Sequence, residues 1–374
     1  MMPKTPLSRL LGLILFMGLS ADAAQAATVT LAWDQSADPS VTGYTLSWGN
    51  LPGSYTSSMN VGNVTQAQVA GLTDGAPYYF VVRAYNSSGM LSAPSVEVSR
   101  RVGIPFAVRG DFNGDFSADV GVFRPSTGAW YVAGQGGIIW GGTGDQPAIG
   151  DYDGDGRMDI AVFRPSNGAW YVKNSSNAGA AFTWGGTGDS AVPGDYDGDG
   201  KTDIAVFRPS TGTWYIWKSK SQTGVSSVWG GGGDIAVPGD YDGDGITDIA
   251  IFRPATGAWF IVKSATQAAV SMTWGGAGDI PVPGDYDGDG KADLAVFRPA
   301  TGTWFIIQSS TGSSISLTWG GTGDIPVPGD YDRDGKTDIA IFRPATGTWF
   351  IANSGGSAAS AFVFGGFGDI PVIK

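Results

Sequence analysis

Gly194-Asp-Tyr-Asp-Gly-Asp-Gly-Lys-Thr-Asp-Ile-Ala-Val-Phe-Arg-Pro-Ser-Thr-Gly-Thr-Trp-Tyr-Ile216 is the stretch that decides the fold. Its first half sets Asp195, Asp197, Asp199 and Asp203 in the pattern D-x-D-x-D-G-x-x-D. Its second half is two strand-like runs joined by a Pro-Ser-Thr-Gly turn. Units of this kind open at Asp111, Asp151, Asp195, Asp240, Asp285 and Asp330, spaced by 40, 44, 45, 45 and 45 residues. Each ends in a Gly-rich segment such as Trp319-Gly-Gly-Thr-Gly-Asp324, followed by Ile-Pro-Val-Pro. In the third unit the strand pattern falls at 203–207, 213–217 and 226–229, with 235–238 taken as its remaining strand. Such a unit cannot cover both faces of its own sheet, so neighbours must stack and the ring must close. The expectation is an all-β chain ending in a six-bladed β-propeller over 104–374. Gly368-Asp369-Ile370-Pro371-Val372 copies the start of a unit and is expected to pair with the first blade and latch the ring.

The acids carry the chemistry. The second unit supplies Asp151, Asp153, Asp155 and Asp159, and the fourth Asp240, Asp242, Asp244 and Asp248. The fifth supplies Asp285, Asp287, Asp289 and Asp293, the sixth Asp330, Asp332, Asp334 and Asp338, and the first Asp111, Asn113, Asp115 and Asp119. Together they take 23 of the 33 Asp residues, and carboxylates packed so closely repel without a cation between them. Hard oxygen ligands in that number suit Ca²⁺, giving five to six sites. The first loop has Phe116 in place of a Gly, and the sixth carries Arg333 near its ligands. An EF-hand would need a Glu at loop position twelve and flanking helices. Here that position is Val122, Val162, Val206, Ile251, Val296 or Ile341, inside a strand pattern.

On these loops the array resembles FG-GAP/VCBS repeats, the calcium-loop propellers of integrin α subunits and of many secreted bacterial proteins. The resemblance implies a Ca²⁺-stabilised extracellular binding platform and does not itself imply catalysis. Ahead of it, 27–101 has no repeat. Runs at 28–33, 43–48 and 78–85 alternate with strand period, and Leu72 stands six residues before Tyr78 as in a tyrosine corner. With Trp33 and the closing Ala84-Tyr85-Asn86, this region resembles a fibronectin type III β-sandwich, which implies a spacer or adhesion module.

Composition narrows the function. The chain has no Cys or His, and Glu97 is its single Glu, which excludes thiol nucleophiles, Ser-His-Asp triads and His or Cys zinc sites. Residues 1–26 read as a signal peptide: Lys4 and Arg9, an apolar run from Leu10 to Leu19, and cleavage after Ala24-Gln25-Ala26. Removing them takes away Lys4, Arg9 and Asp22 and moves the net charge from −12 to −13. The mature chain is expected to be secreted, without a membrane span, and too acidic to partner nucleic acid. The Trp130 and Trp140 rows sit at strict repeat positions, where aromatics pack blade against blade. Trp217 stands where other units vary, so it is the candidate ligand contact. Arg124, Arg164, Arg208, Arg253, Arg298 and Arg343 are matched by one further Asp per unit, which suggests structural ion pairs. The unrepeated mature acids, Asp34, Asp38, Asp74 and Glu97, make no acid/base pair. The reading is a non-enzymatic, calcium-binding adhesion or ligand-binding protein that holds an extracellular polysaccharide or protein. Its alternatives are an accessory module of a polysaccharide lyase or glycosidase, or a structural surface-matrix protein.

Overall fold

A computed structural model describes residues 13–16, 27–36, 38–50, 53–72, 77–95, 97–101, 109–176 and 178–373. Every element among them is a β-strand, and none is a helix long and apolar enough to cross a membrane. The chain divides into two compact units, Met1–Pro105 and Phe106–Lys374.

The first unit is a pair of antiparallel sheets. One holds Leu13–Phe16, Ala27–Trp33 and Gln66–Leu72; the other holds Ser57–Gly62, Val41–Gly49, Pro77–Asn86 and Val98–Arg101. Alternate residues face inward, so Val29, Leu31, Trp33, Tyr44, Leu46, Val69, Leu72, Phe80 and Val82 form one core. Trp33 meets Tyr44 edge-on at 5.7 Å. Within the expected leader, Leu13–Phe16 lies antiparallel to Ala27–Trp33. The expected cleavage site at 24–26 and Asp74 lie outside the described residues.

The second unit is six four-stranded antiparallel sheets, one per blade. In the third blade the order from the inside is Ser190–Ala191, Ile204–Arg208, Thr213–Lys218 and Thr223–Val228. This corrects one strand of the sequence reading. Ile235–Ala236 pairs with Ile249–Arg253 and so belongs to the fourth blade. The reason is geometric: each acidic loop connects an innermost strand to the strand that pairs with it, so the strand before a loop belongs with the strand after it. The first blade consequently lacks an inner strand until the chain returns. Ile370–Pro371 supplies it, pairing Ile370 with Phe123 and Pro371 with Val122. The ring closes on the expected segment.

Blade cores follow from the repeat. Trp130, Trp170, Trp214, Trp259, Trp304 and Trp349 are fully buried, each 5.1–5.4 Å from the Phe of the neighbouring strand. Every one donates its indole N–H to the carbonyl of the residue at the Trp140 position of its own unit, which satisfies the one polar atom that burial would orphan. The second Trp row reaches across: Trp140, Trp184, Trp229, Trp274 and Trp319 donate to carbonyls of the next blade at 3.0–3.1 Å. Both rows therefore pack blades, as their strict spacing suggests. The hairpin turn needs Gly: Gly212 has φ 64°, and a Cβ there would lie 2.2 Å from the Gly230 carbonyl oxygen.

The expected ion pairs form in all six blades. Each Arg ends the second strand of a blade and grips one Asp with Nε and Nη2, as Arg208 grips Asp189 at 2.7 and 2.8 Å. The guanidinium also lies over an aromatic ring of the third strand, 4.6–5.0 Å from its centroid. The Arg124–Asp369 pair fastens the returning chain end to the first blade.

Candidate metal centre

Each acidic loop is folded by its own backbone amides. The first Asp accepts N–H bonds from loop positions four and six, as Asp151 does from Gly154 at 2.7 Å and Gly156 at 2.8 Å. Those two positions run at positive φ, 80° and 88° here, which is why Gly recurs at them. The ninth residue accepts the N–H of position two, as Asp159 does from Tyr152 at 2.8 Å. The Tyr at position two is then pinned by its hydroxyl to the carbonyl of the residue that follows the innermost strand in five loops. The result is a turn that holds several carboxylates close together and partly out of water.

Five loops bring at least three carboxylates together with ligand atoms within 4.8 Å of one another. These are Asp151, Asp153 and Asp159; Asp195, Asp197 and Asp199; Asp240, Asp242 and Asp248; Asp285, Asp287 and Asp289; and Asp330, Asp332 and Asp338. The fourth carboxylates, Asp155, Asp203, Asp244, Asp293 and Asp334, accept hydrogen bonds from loop and serine groups, as several cluster members also do. The donor set is all carboxylate oxygen. Three buried oxygens, Asp153 Oδ1, Asp197 Oδ1 and Asp242 Oδ2, have no hydrogen-bond partner. An orphaned anionic oxygen in such a place is costly unless something positive meets it. Burial, with neighbouring carboxylates adding to it, pushes Asp151 up to about 6 and Asp159 up to about 7. The same burial raises Asp195, Asp240, Asp248, Asp293 and Asp338, and holds Asp203 and Asp285 at about 6. The residues fit a hard divalent cation.

The first loop keeps this backbone pattern, with Asp111 accepting the N–H groups of Gly114 and Phe116, but differs in its side chains: the Asn113 amide donates to Asp119 at 2.8 Å. Arg333 does not stay over its own loop: its guanidinium pairs with Asp115 of the first. Ser117 Oγ donates to the Tyr331 carbonyl at 2.9 Å, tying the same two loops. Phe116 and Arg333 both sit at positive φ, 66° and 69°, where the other loops have Gly. The Asn113 amide and the Arg333 guanidinium thus meet the ninth and fifth Asp of this loop, and the guanidinium brings it a positive charge of the protein's own. We expect calorimetric titration to count five Ca²⁺ per chain in the native protein. The double variant Asn113→Asp with Arg333→Gly should bind six, and an unchanged count would contradict this account of the first loop.

Sequence reasoning missed two features. Ser175, Ser219, Ser264, Ser309 and Ser354 each donate a backbone N–H to the ninth Asp and a hydroxyl to the fifth. They lie in the segment that varies between units, yet always 24 residues after the first Asp, and that constant offset was the available signal. The first unit has Gln135 there. The second feature links the loops. The amide of position eight donates to the carbonyl of the first Asp in the preceding loop: Met158 to Asp111, Thr202 to Asp151, Thr247 to Asp195, Ala292 to Asp240 and Thr337 to Asp285. Ala118 donates to Asp330 and completes the circle, and all six bonds measure 2.6–2.7 Å.

The candidate ligand contact Trp217 is half-buried on the third strand of its blade. Its ring lies 5.0 Å from Phe182 and 5.3 Å from Trp184, so both neighbours pack against it.

Two family models match within the two units. Residues 151–206, 195–251 and 285–341 match the FG-GAP-like repeat, and 17–100 match the fibronectin type III domain. A Kelch domain-containing protein of Saccharolobus solfataricus is 44% identical over 78 residues, 21% of this chain. The match spans 10% of that protein's length. Among solved structures, a streptogramin B lyase superposes with a TM-score of 0.42 at 12% identity, covering 59% of this chain and 69% of the lyase. An auxiliary nutrient binding protein from Bacteroides thetaiotaomicron superposes with a TM-score of 0.41 at 9% identity, covering 91% of this chain and 83% of its own. The chain therefore carries FG-GAP-like repeats, folded as a propeller, behind a fibronectin type III domain.

Proposed function

We propose that this is an exported, non-enzymatic binding protein whose propeller is made rigid by Ca²⁺ and holds an extracellular polysaccharide or protein. The observation that carries the cation is the set of five carboxylate clusters, three of which hold a buried oxygen with no hydrogen-bond partner. Asp at positions one, three, five and nine would hold the ion, and the ion would supply the positive charge that lets them stay ionised side by side. The observation against catalysis is that every Asp of the described propeller already has a structural task. Each stands in an acidic loop or grips an Arg. No carboxylate of the described propeller is left over for acid/base chemistry without dismantling one of these.

The test is binding of the full chain to an array of polysaccharides and glycans in millimolar Ca²⁺, repeated in EGTA. Saturable binding to a few related sugars, lost in EGTA, is the expected result. Release of oligosaccharide products from a bound polysaccharide would overturn the non-enzymatic reading.

A further inference from the structure

We infer that the seam between the sixth and first blades is a binding site for one neutral pyranose unit of a glycan. The inference rests on the ligand-binding reading above and locates it. Five of the six seams are closed alike, by a Trp indole that donates to a carbonyl of the next blade. At the sixth seam the corresponding residue is Phe364, which has no N–H to give. The carbonyl it would have met is that of Tyr131. The outer strand of the first blade is also the shortest, Ile138–Ile139, against four to six residues in the others.

These two changes leave a space. A cavity of 300 Å³ opens at this seam, lined by Val122, Arg124, Tyr131, Gln135 and Phe364. Tyr131 is exposed, whereas its counterparts Tyr171, Tyr215, Phe260, Phe305 and Phe350 are all half-buried. The cavity is lined by Phe364 and Tyr131, the two residues whose counterparts are joined by an indole hydrogen bond at the other seams.

Its chemistry selects the occupant. A volume of 300 Å³ is at the lower end of small-molecule sites, room for about one ring. Tyr131 and Phe364 offer apolar faces, while the Gln135 amide and the Tyr131 hydroxyl offer hydrogen bonds. Arg124 brings no spare charge, because Asp369 already holds it through two nitrogens. A neutral ring with apolar faces and a hydroxylated edge meets all of these conditions. Two residues beyond the rim, Phe367 is 93% exposed where the other units have Thr143, Thr187, Gly232, Ala277 and Thr322. Several departures from the repeat thus gather at this seam.

The repeat itself provides the test, since Phe364→Trp rebuilds the arrangement of the other five seams. Methyl glycosides of glucose, galactose, mannose, fucose and N-acetylglucosamine would be titrated into the full chain by saturation-transfer NMR. Free indole would serve as a separate probe. At least one glycoside should bind the native chain, and Phe364→Trp and Tyr131→Ala should each weaken it tenfold or more. Phe364→Trp should melt at the native temperature or above, which separates loss of the site from loss of the fold. Val225→Ala, at an exposed position on the outer strand of the third blade, should bind as the native chain does. Glycoside binding that survives Phe364→Trp, whether or not Trp217→Ala removes it, would overturn the seam site and leave the binding-propeller reading standing. Binding of indole but of no glycoside would overturn the sugar class. Silence toward the glycosides and the whole glycan array would overturn the seam site together with the carbohydrate reading.

Discussion

Withdrawing divalent cations should lower the melting temperature of the propeller by about 6–18 °C and leave the sandwich transition where it was. At about 2 mM Ca²⁺ and dissociation constants of roughly 10⁻⁴ to 10⁻³ M, each filled site stabilises the folded state by about 0.7–1.8 kcal/mol. Five clusters then give about 3–9 kcal/mol, and a unit of this size shifts by roughly 2 °C per kcal/mol. Scanning calorimetry of the full chain, with and without EGTA, measures both transitions at once. The sandwich is an internal control, because all five carboxylate clusters lie in the propeller.

The effect should also depend on pH. With Asp159 at about 7 and Asp151 at about 6, the metal-free fold keeps protons that the unfolded chain has released. Metal-free stability is therefore greatest near about pH 4 and falls as pH rises through about 7. Cation binding needs the ionised carboxylates, so its contribution grows over the same window. The loss caused by EGTA should be larger at about pH 7.5 than at about pH 5.5. Equal melting temperatures with and without EGTA at the higher pH would refute a structural role for the ion.

Ending the chain at Gly368 should abolish the cooperative melting of the propeller. The six residues removed include Asp369, which holds Arg124, and Ile370–Pro371, the inner strand of the first blade. They also include Val372, 4% exposed, and Ile373, fully buried. Burying such side chains contributes about 1.5–3 kcal/mol each. With the strand pairing lost as well, the deficit reaches about 5 kcal/mol or more, comparable with the whole stability of many domains. Circular dichroism and limited proteolysis check the outcome. A truncated chain that keeps a propeller transition within about 3 °C of the native one would show that closure contributes little. Asp369→Asn, which removes only the ion pair, should shift the transition by far less.

Much of this was legible beforehand because the repeat samples each position six times. A Trp that recurs six times must do something the fold requires of every blade, and Trp214 and its counterparts are indeed buried. The latch was legible because Ile370-Pro371 copies Ile325-Pro326. What escaped was whatever depends on the closed ring. That Arg333 faces Asp115 follows only once the sixth loop lies beside the first. The same adjacency makes Phe364 and Tyr131 neighbours across 233 positions of sequence, and no local pattern announces it. The sequence pattern places the inner strand on the wrong side of its loop because a repeat has no intrinsic starting point. Only the pairing of Ile235–Ala236 with Ile249–Arg253 fixes the phase.

The circle of amide bonds through the six loops has no terminus. An open array of stacked units loses order from its ends, each unit leaving at the expense of one interface. Here the bond from Ala118 to Asp330 removes those ends, so any loop that departs must break with two neighbours at once. Fraying, the ordinary first step by which repeat proteins come apart, finds no end loop in this circle from which to begin.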